Sequence, residues 1–584
     1  MSKLKWWQTA VFYQIYPRSF ADGNGDGIGD FKGIIEKLDY IKGLGVDAIW
    51  LSPYFPSPNW DWGYDISDYC NVAPEYGTLA EFELFLREAH ARNLRVVLDL
   101  VLNHTSNEHP WFLESKSSRD NPKSDWYVWQ PPSDSPPIFD ENRGSRRGVP
   151  NNWQSCFDGE AWTYVPERDQ YYYHYFMKQQ PDLNWHNPEV KAAMWDVVRF
   201  WLDMGVDGFR LDAIGTIYED PDLTPHTVPM TLAELRRFSE TVKTPGEMVQ
   251  EKNQYWHDMF YHQWGQPGLH DLMKELRAIL DEYDGDRMLV GEDENIDFMG
   301  NGDDELHLVF NFPLMYPERI TPQHILQNQK ERLSQLEALP VKGWPCNTLG
   351  NHDSSRIRTR YSDGEHELEL ARLNAALVLT LRGTPFLYNG EEIGMTDLII
   401  TDPAKIRDTM AVWYYEQLVT EFKADPARAS ARAGEMTRDK NRTPMQWENA
   451  PNSGFCPETV EPWLPVNPNY AAGVNVTDQQ DDPRSTLNYY RKLLRVRKST
   501  PALTEGEYKP LHLKSDKHFS FLRFTGEQVV LVILNYSAQG QTLKFDLPQK
   551  SAQLLFSSVK HENKEFPTSE IPVTAFEVFI AELR

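Results

Sequence analysis

Short apolar runs alternate with stretches of helical period over most of this chain. Val11 to Tyr16 reads as a strand, and Phe31 to Leu44 follows with Ile34, Ile35, Leu38 and Ile41 at helical spacing. Ala48 to Leu51 is a second strand, closed by Ser52-Pro53. Thr78-Leu-Ala-Glu81 has the form of a capping box, in which each side chain satisfies the other's backbone N–H, and it opens a helix running to Asn93. Arg95 to Leu102 is nearly all apolar, as a strand covered on both faces must be.

At Thr105 the alternation stops. From there to Trp185 the chain is rich in Pro, Asn, Asp, Ser and aromatic residues and keeps no period. That is too long for a simple loop, so residues 105–185 are expected to form a small irregular domain inserted after strand three. Pro188 to Met204 is then helical and stopped by Gly205, Phe209 to Ala213 is a strand, and His270 to Tyr283 is helical. Met288 to Gly291, Leu308 to Phe312, Asn347 to Gly350 and Pro385 to Tyr388 complete a set of eight strands. The pattern predicts an α/β protein, a closed parallel (β/α)8 barrel built from residues 1–104 and 186–508, with a doubly wound open sheet as the alternative. Residues 396–449 are polar and charged, which suggests a lid-like excursion after strand eight that returns over the barrel mouth. Beyond Lys509 come only short strands, such as Phe519 to Phe524 and Val529 to Asn535, split by turn signals such as Thr525-Gly526. Residues 509–584 are therefore expected to be a C-terminal antiparallel β-sandwich domain.

Charge narrows the partners. The net charge of −27 would repel nucleic acid and an anionic membrane surface, and it fits a neutral substrate. Cys70, Cys156, Cys346 and Cys456 form no CxxC pair and are too scattered for a disulfide framework. No apolar run is long enough to span a membrane, and the start, Met-Ser-Lys-Leu-Lys-Trp-Trp, is not a secretory leader. A cytoplasmic location is the expectation. The sequence carries no signal for an oligomeric state.

In such a barrel the chemistry lies at the C-terminal ends of the strands. Strand three ends Asp99-Leu-Val-Leu-Asn103-His104, strand four runs through Arg210-Leu-Asp212-Ala213, strand five into Glu292-Asp293-Glu294-Asn295, and strand seven into Asn351-His352-Asp353. A plain core would exclude these groups. Paired carboxylates are what cleavage of a glycosidic bond requires: one attacks the anomeric carbon while the other, protonated, donates to the leaving oxygen. Arg210 shares a strand face with Asp212 and can hold it ionised.

These four segments resemble the four signature regions of the α-amylase superfamily of glycoside hydrolases. Gln180-Pro-Asp-Leu-Asn184 resembles the fifth region as it stands in the oligo-1,6-glucosidase and α-glucosidase branch. The resemblance implies Asp212 as nucleophile, forming a covalent β-glucosyl enzyme, Glu292 as general acid/base, and Asp353 as a third carboxylate gripping the 2-OH and 3-OH. It implies His104, His352 and Arg210 as hydrogen-bonding partners of the sugar, and Phe157 as an aromatic wall near the scissile bond, with core packing as the alternative for Phe157. Asp61-Trp-Gly-Tyr64-Asp65 is similar to the segment in which an Asp binds the non-reducing glucose and a Tyr stacks beneath it. Asn441-Arg442-Thr-Pro-Met-Gln-Trp447 is similar to the segment whose Arg pairs with that Asp, so an Arg442–Asp61 pair is expected to close the pocket and enforce exo action. Ala213, after the nucleophile, implies a preference for α-1,4 over α-1,6 bonds. The two carboxylates of a retaining enzyme should lie about 5–5.5 Å apart.

The expected function is thus a retaining, exo-acting α-glucosidase on a small oligosaccharide or disaccharide. A transglucosidase or isomerase, such as trehalose synthase or sucrose isomerase, and an oligo-1,6-glucosidase are the alternatives. A non-catalytic transporter-associated scaffold is disfavoured by the intact triad. No organic cofactor is expected. The loop Asp22, Asn24, Asp26, Ile28 and Asp30 has the alternating oxygen pattern of an EF-hand loop, although Gly33 stands where that loop has its bidentate Glu. The branch uses this loop for Ca2+ or Mg2+, so a structural ion is expected there; a turn capped by its own side chains is the alternative.

Overall fold

The computed structural model describes residues 4–133, 139–140, 144–145, 148–241 and 247–584. Eight parallel strands form its centre: β1 (Phe12–Ile15), β2 (Ala48–Leu51), β3 (Arg95–Val101), β4 (Gly208–Asp212), β5 (Met288–Gly291), β6 (Leu308–Val309), β7 (Cys346–Asn347) and β8 (Thr384–Tyr388). They pair in the order β6-β5-β4-β3-β2-β1-β8-β7. Successive strands are neighbours throughout, and Phe12 of β1 lies between Ala48 of β2 and Phe386 of β8. That order is a ring, not a doubly wound sheet. Between β6 and β7 the contact is made by side chains, with Asn311 Nδ2 donating to Asn347 Oδ1 at 3.3 Å.

Side chains alternate along each strand, so one set of positions fills the barrel. Its lower layer is apolar. Phe12 stacks on Phe386 with ring centroids 4.4 Å apart, and Ala48, Val97 and Met288 join the same buried cluster. Two residues further along β1 and β3 stand Gln14 and Asp99, and Arg210 of β4 pairs level with Asp99, all three buried. The barrel interior therefore turns polar towards its C-terminal mouth.

Local signals act as read. Thr78 Oγ1 accepts the Glu81 N–H and Glu81 returns the bond to the Thr78 N–H, opening the helix Leu79–Ala91. Gly205, at φ +104°, ends the helix Pro188–Met204 in a conformation that costs glycine little. The stretch Phe31 to Leu44 is two helices, Phe31–Glu36 and Leu38–Leu44, because Lys37 leaves helical geometry. The inserted segment has more order than its composition suggested. It holds the helix Pro110–Ser117 and an antiparallel sheet of Trp129–Gln130, Gln170–Tyr173 and Trp162–Val165. Strands of two to four residues are too short to show a period.

Two helices between β4 and β5, Leu232–Thr241 and Glu247–Phe260, went unpredicted because their sequence is largely polar. The stretch 396–449 holds the helices Thr409–Thr420 and Pro426–Met436, and beyond them Arg438 bonds to Asp61. The C-terminal domain is a six-stranded antiparallel sheet, starting at Glu507, with the pair Gln541–Leu543 and Ile571–Val573 packed on it. All four cysteines are free thiols. Among the described residues no helix is long and apolar enough to cross a membrane.

Candidate active site

Arg210 organises the floor of the mouth. Its Nη1 donates to Asp99 Oδ1 at 2.6 Å and Asp212 Oδ1 at 2.7 Å, while its Nη2 stands 2.8 Å from Glu292 Oε2. The parity of β4 puts Arg210 and Asp212 on one face, and β3 and β5 flank it with Asp99 and Glu292. Glu292 also accepts the Ala213 N–H at 3.0 Å. Burial pushes the Asp99 carboxyl up to about 6 against the pull of Arg210. Burial likewise raises Asp212 above the usual carboxylate range, with Arg210 opposing and the charge of Glu292 adding. Three carboxylates facing one buried guanidinium would carry a net charge of −2 if all were ionised. Such a group favours keeping a proton, and the proton belongs to the cluster rather than to one oxygen.

The second half of the site hangs from β7. Asp353 faces the pocket, and Arg442 Nη2 donates to its Oδ1. His352 Nε2 lies 3.3 Å from Asp353 Oδ2, and Arg438 Nη1 lies 3.5 Å from Oδ1. Burial opposes ionisation, but these cationic and imidazole neighbours outweigh it and hold Asp353 well below the usual range, a fixed carboxylate. Burial pushes His352 down to about 3 and His104 likewise to about 3, so both rings are neutral. Gln14 Nε2 is 2.7 Å from His352 Nδ1, and Tyr64 Oη is 2.6 Å from Nε2. With Gln14 donating, the ring proton sits on Nε2. Tyr64 stacks on His352, interplanar angle 9°, and its O–H donates a hydrogen bond to Asp99 Oδ2 at 3.1 Å.

The mouth opens into a cavity of about 530 Å3, within the range of small-molecule sites. Asp212, Glu292, Asp353, Asp61, Tyr64, His104, Phe157 and Ala213 line it, as the sequence placed them. Arg210, His352 and Arg442 do not. They stand behind the wall, almost fully buried, and hold the carboxylates that face inward. Phe157 packs edge-on against Phe176 at 5.3 Å. Ala213 has a left-handed backbone, φ +39° and ψ +48°.

One pairing must be corrected. Arg442 does not meet Asp61. Arg438 does, its Nη2 donating to Asp61 Oδ1 at 2.8 Å. The two arginines are about one helical turn apart, across the short 3-10 turn Arg438–Lys440. Arg442 is thereby carried on to the segment after β7, where its Nε donates to the His352 carbonyl at 2.9 Å and its Nη2 to Asp353. An Asp61–Arg pair still stands in the cavity wall, but a different arginine makes it.

Other contributors went unread. Gln180, from the Gln180-Pro-Asp-Leu-Asn184 segment, donates to Asp61 Oδ2 at 3.2 Å and lies 3.0 Å from His104 Nε2, tying the inserted segment to the pocket. Asp99 was visible as an acid in an otherwise apolar strand. Trp264 and Tyr316, on the outer wall, had no signal beyond being aromatic. Gly215 explains the place of Trp264: a Cβ there would lie 2.4 Å from the indole.

The Asp22–Asp30 loop uses its oxygens on its own backbone. Asp22 accepts the N–H groups of Gly25 at 2.6 Å and Gly27 at 2.8 Å, and Asp26 accepts that of Ile28 at 2.9 Å. Asn24 Oδ1 accepts the Asp26 N–H at 2.9 Å. Asp30 accepts those of Gly23, Asn24 and Gly33 and caps the next helix. Among the described residues no three acidic, His or Cys side chains converge as a cation site. As folded here, this donor set fits a capped turn; holding an ion would require these oxygens to rotate.

A parallel barrel with carboxylates at several strand ends, two of them facing each other across one arginine, defines an enzyme that cleaves glycosidic bonds. The chain belongs to the α-amylase family: the family's catalytic domain matches residues 14–506. It is 39% identical to the oligo-1,6-glucosidase of Parageobacillus thermoglucosidasius, over 99% of each chain. It is also 39% identical to a probable α-glucosidase of Rhizobium meliloti (strain 1021), covering 94% of this chain and 92% of that one. The crystal structure of the trehalulose synthase MutB from Pseudomonas mesoacidophila MX-45 superposes with a TM-score of 0.84 at 33% identity, over all of both chains.

Proposed function

We propose that this enzyme is a retaining, exo-acting α-glucosidase that releases α-D-glucose from the non-reducing ends of short α-glucosides, with α-1,4 bonds preferred. The observation that carries this reading is the Arg438–Asp61 ion pair in the wall of the cavity. Asp212 and Glu292 share Arg210 at the cavity floor, and in this reading the Arg438–Asp61 pair is the wall that shuts one end. A closed end accepts one terminal sugar, whereas an open cleft would accept a chain interior.

In the first step an Asp212 oxygen bonds to the anomeric carbon as the glycosidic C–O bond breaks, and the leaving oxygen takes a proton. Glu292 is the more exposed of the pair, with 22% of its side chain accessible against 10% for Asp212, and it delivers the proton of the carboxylate cluster. In the second step the carboxylate of Glu292 takes a proton from water, whose oxygen displaces Asp212. Asp353, its carboxyl held low against burial by His352, Arg442 and Arg438, accepts hydrogen bonds from the sugar hydroxyls throughout.

The likeness to trehalulose synthase favours a second reading, in which a released sugar rather than water takes the glucosyl group. The likeness to an oligo-1,6-glucosidase favours α-1,6 bonds instead. Incubation with maltose, isomaltose, sucrose and trehalose, followed by chromatography, separates the readings. Free glucose from maltose in excess over isomaltose supports the proposal. Conversion of sucrose to an isomeric disaccharide supports transfer, and faster release from isomaltose overturns the α-1,4 preference. A structural Ca2+ or Mg2+ at Asp22, Asn24, Asp26, Ile28 and Asp30 is a separate proposal. Either ion should raise the Tm of the wild type and leave that of Asp26→Ala unchanged.

A further inference from the structure

Arg438 is held by three carboxylates, and they do not pull in the same direction. Asp61 and Asp353 line the cavity. Asp408 does not; it is fully buried at the start of the helix Thr409–Thr420. Asp408 Oδ2 accepts both the backbone N–H of Arg438 at 2.8 Å and its Nε at 3.0 Å, and Oδ1 accepts Nη2 at 2.8 Å. The bond is returned by the next residue, since Asp439 Oδ2 accepts the N–H groups of Arg407 at 2.6 Å and Asp408 at 3.0 Å. Two short segments of the excursion thus clasp each other by carboxylate-to-backbone bonds, and the guanidinium of Arg438 projects from the clasp over the Phe157 ring at 5.0 Å.

We propose that Asp408 is a positioning residue: by anchoring Arg438 from outside the cavity it keeps the glucose end shut, and so sets the exo specificity. The inference rests on the exo reading above. It follows from the direction of the forces. With Asp408 present the guanidinium is balanced between an outer carboxylate and two inner ones. With Asp408 neutralised or removed, every remaining carboxylate on Arg438 lies on the cavity side. The side chain then moves towards Asp353 and the sugar position, and Asp61 loses a fixed partner. Binding of the terminal glucose suffers, and the end wall no longer excludes a chain that continues past it. The arrangement of Asp212, Glu292 and Arg210 is untouched, because none of them contacts the clasp.

The test measures KM and kcat separately for the full-length wild type, Asp408→Asn, Asp408→Glu and Asp408→Ala. The substrates are maltose and two p-nitrophenyl maltoheptaosides, one free and one blocked at its non-reducing end by an acetal on the last glucose. Wild type should cleave the free substrate and reject the blocked one. Asp408→Asn should raise KM for maltose by roughly ten- to a hundredfold, the worth of bonds to a charged group, with a much smaller change in kcat, and should gain cleavage of the blocked substrate. Asp408→Glu, which keeps the charge, should recover part of the wild-type KM. Wild-type KM and continued rejection of the blocked substrate in Asp408→Asn would overturn the proposal, as would an equal fall in kcat on all substrates with KM unmoved. If wild type itself cleaves the blocked substrate, the exo reading fails, which is a distinct result. Should Asp408→Ala not fold, Asp408→Asn, which retains the shape and the helix cap, carries the test.

Discussion

The Arg210 guanidinium stands 2.7 Å from Asp212 on one nitrogen and 2.8 Å from Glu292 on the other, so both members of the proposed catalytic pair lean on a single buried cation. Asp99 completes the group at 2.6 Å. Replacing Arg210 with Met leaves three carboxylates with no cation among them. Ionising any of them becomes harder, and a nucleophile must be ionised to react. The acid limb of the pH profile of kcat/KM should therefore move to higher pH, and turnover at its optimum should fall on the order of a hundredfold or more. An unmoved acid limb in a folded variant would show that Arg210 does not set the charge of the pair.

The two carboxylates should fail in different ways. Asp212→Ala removes the attacking oxygen, so every α-glucoside should lose turnover by about 10^4-fold or more, whatever its leaving group. Glu292→Ala removes the proton donor. Its loss should be roughly 10^2- to 10^4-fold on maltose and far smaller on a glucoside with an acidic phenol as leaving group, which needs no proton. Steady-state rates on maltose and on p-nitrophenyl α-glucoside decide it. Equal losses on both substrates for Glu292→Ala would remove it from the acid role.

The barrel and the acids were legible for the same reason. A strand buried on both faces reads as an unbroken apolar run, so Arg210 and Asp212 in β4, and His352 and Asp353 after β7, stand out against it. Arg438 did not stand out. It is one of five arginines between residues 396 and 449, in a stretch with no period. Which of them reaches Asp61 depends on how the excursion folds back over the mouth, a tertiary fact. A slip of one turn is enough to exchange Arg438 and Arg442. The helices Leu232–Thr241 and Glu247–Phe260 were hidden by their polarity. In the Asp22–Asp30 loop the alternating oxygens are equally suited to an ion and to the loop's own N–H groups, so the pattern left both readings open.

Glu391, just beyond β8, is buried beside Arg356, Glu392, Tyr388, Tyr361 and Tyr490. Burial pushes its carboxyl up to about 8, with Arg356 opposing and Glu392 adding. The folded protein therefore holds a proton that the unfolded chain has released above its ordinary value of 4.5. Stability from this group is present below 4.5 and declines as pH rises towards 8. Glu391→Gln does not titrate. Its Tm should match wild type near pH 4.5 and exceed it increasingly towards pH 8. A Tm difference independent of pH would show that Glu391 is already ionised in the folded state.

Arg523 belongs to the C-terminal sheet but serves the barrel. Fully buried, its Nη1 donates to the carbonyls of Thr380 at 2.7 Å and Leu381 at 2.8 Å, at the end of the helix Glu367–Thr380. Its Nη2 donates to Gly506 at 2.9 Å. Arg523→Ala leaves three buried acceptors without this donor and should cost on the order of 3 kcal/mol. The loss should appear in denaturant unfolding, with room-temperature kcat on maltose unchanged because the site is distant. Unaltered unfolding would mean that the two domains dock without it.

Ala213 joins the strand that carries Asp212 to Glu292 through its backbone. Its N–H donates to Glu292 Oε2 at 3.0 Å, and it does so from a left-handed conformation, φ +39°. A β-branched residue is strained there by roughly 1–3 kcal/mol. Ala213→Val should relieve that strain by turning the peptide, which draws the N–H away from Glu292, and its two added methyl groups stand in the cavity wall beside the leaving group. Both effects weigh most on a leaving sugar held close to that wall. The expected result is a drop in kcat/KM for maltose that exceeds the drop for isomaltose, shifting their ratio by about tenfold, the scale on which a pocket resolves a methyl group. The measurement is the ratio of the two kcat/KM values in wild type and variant under one set of conditions. A ratio that does not move, with both rates lowered alike, would leave Ala213 a role in holding Glu292 and none in choosing the bond.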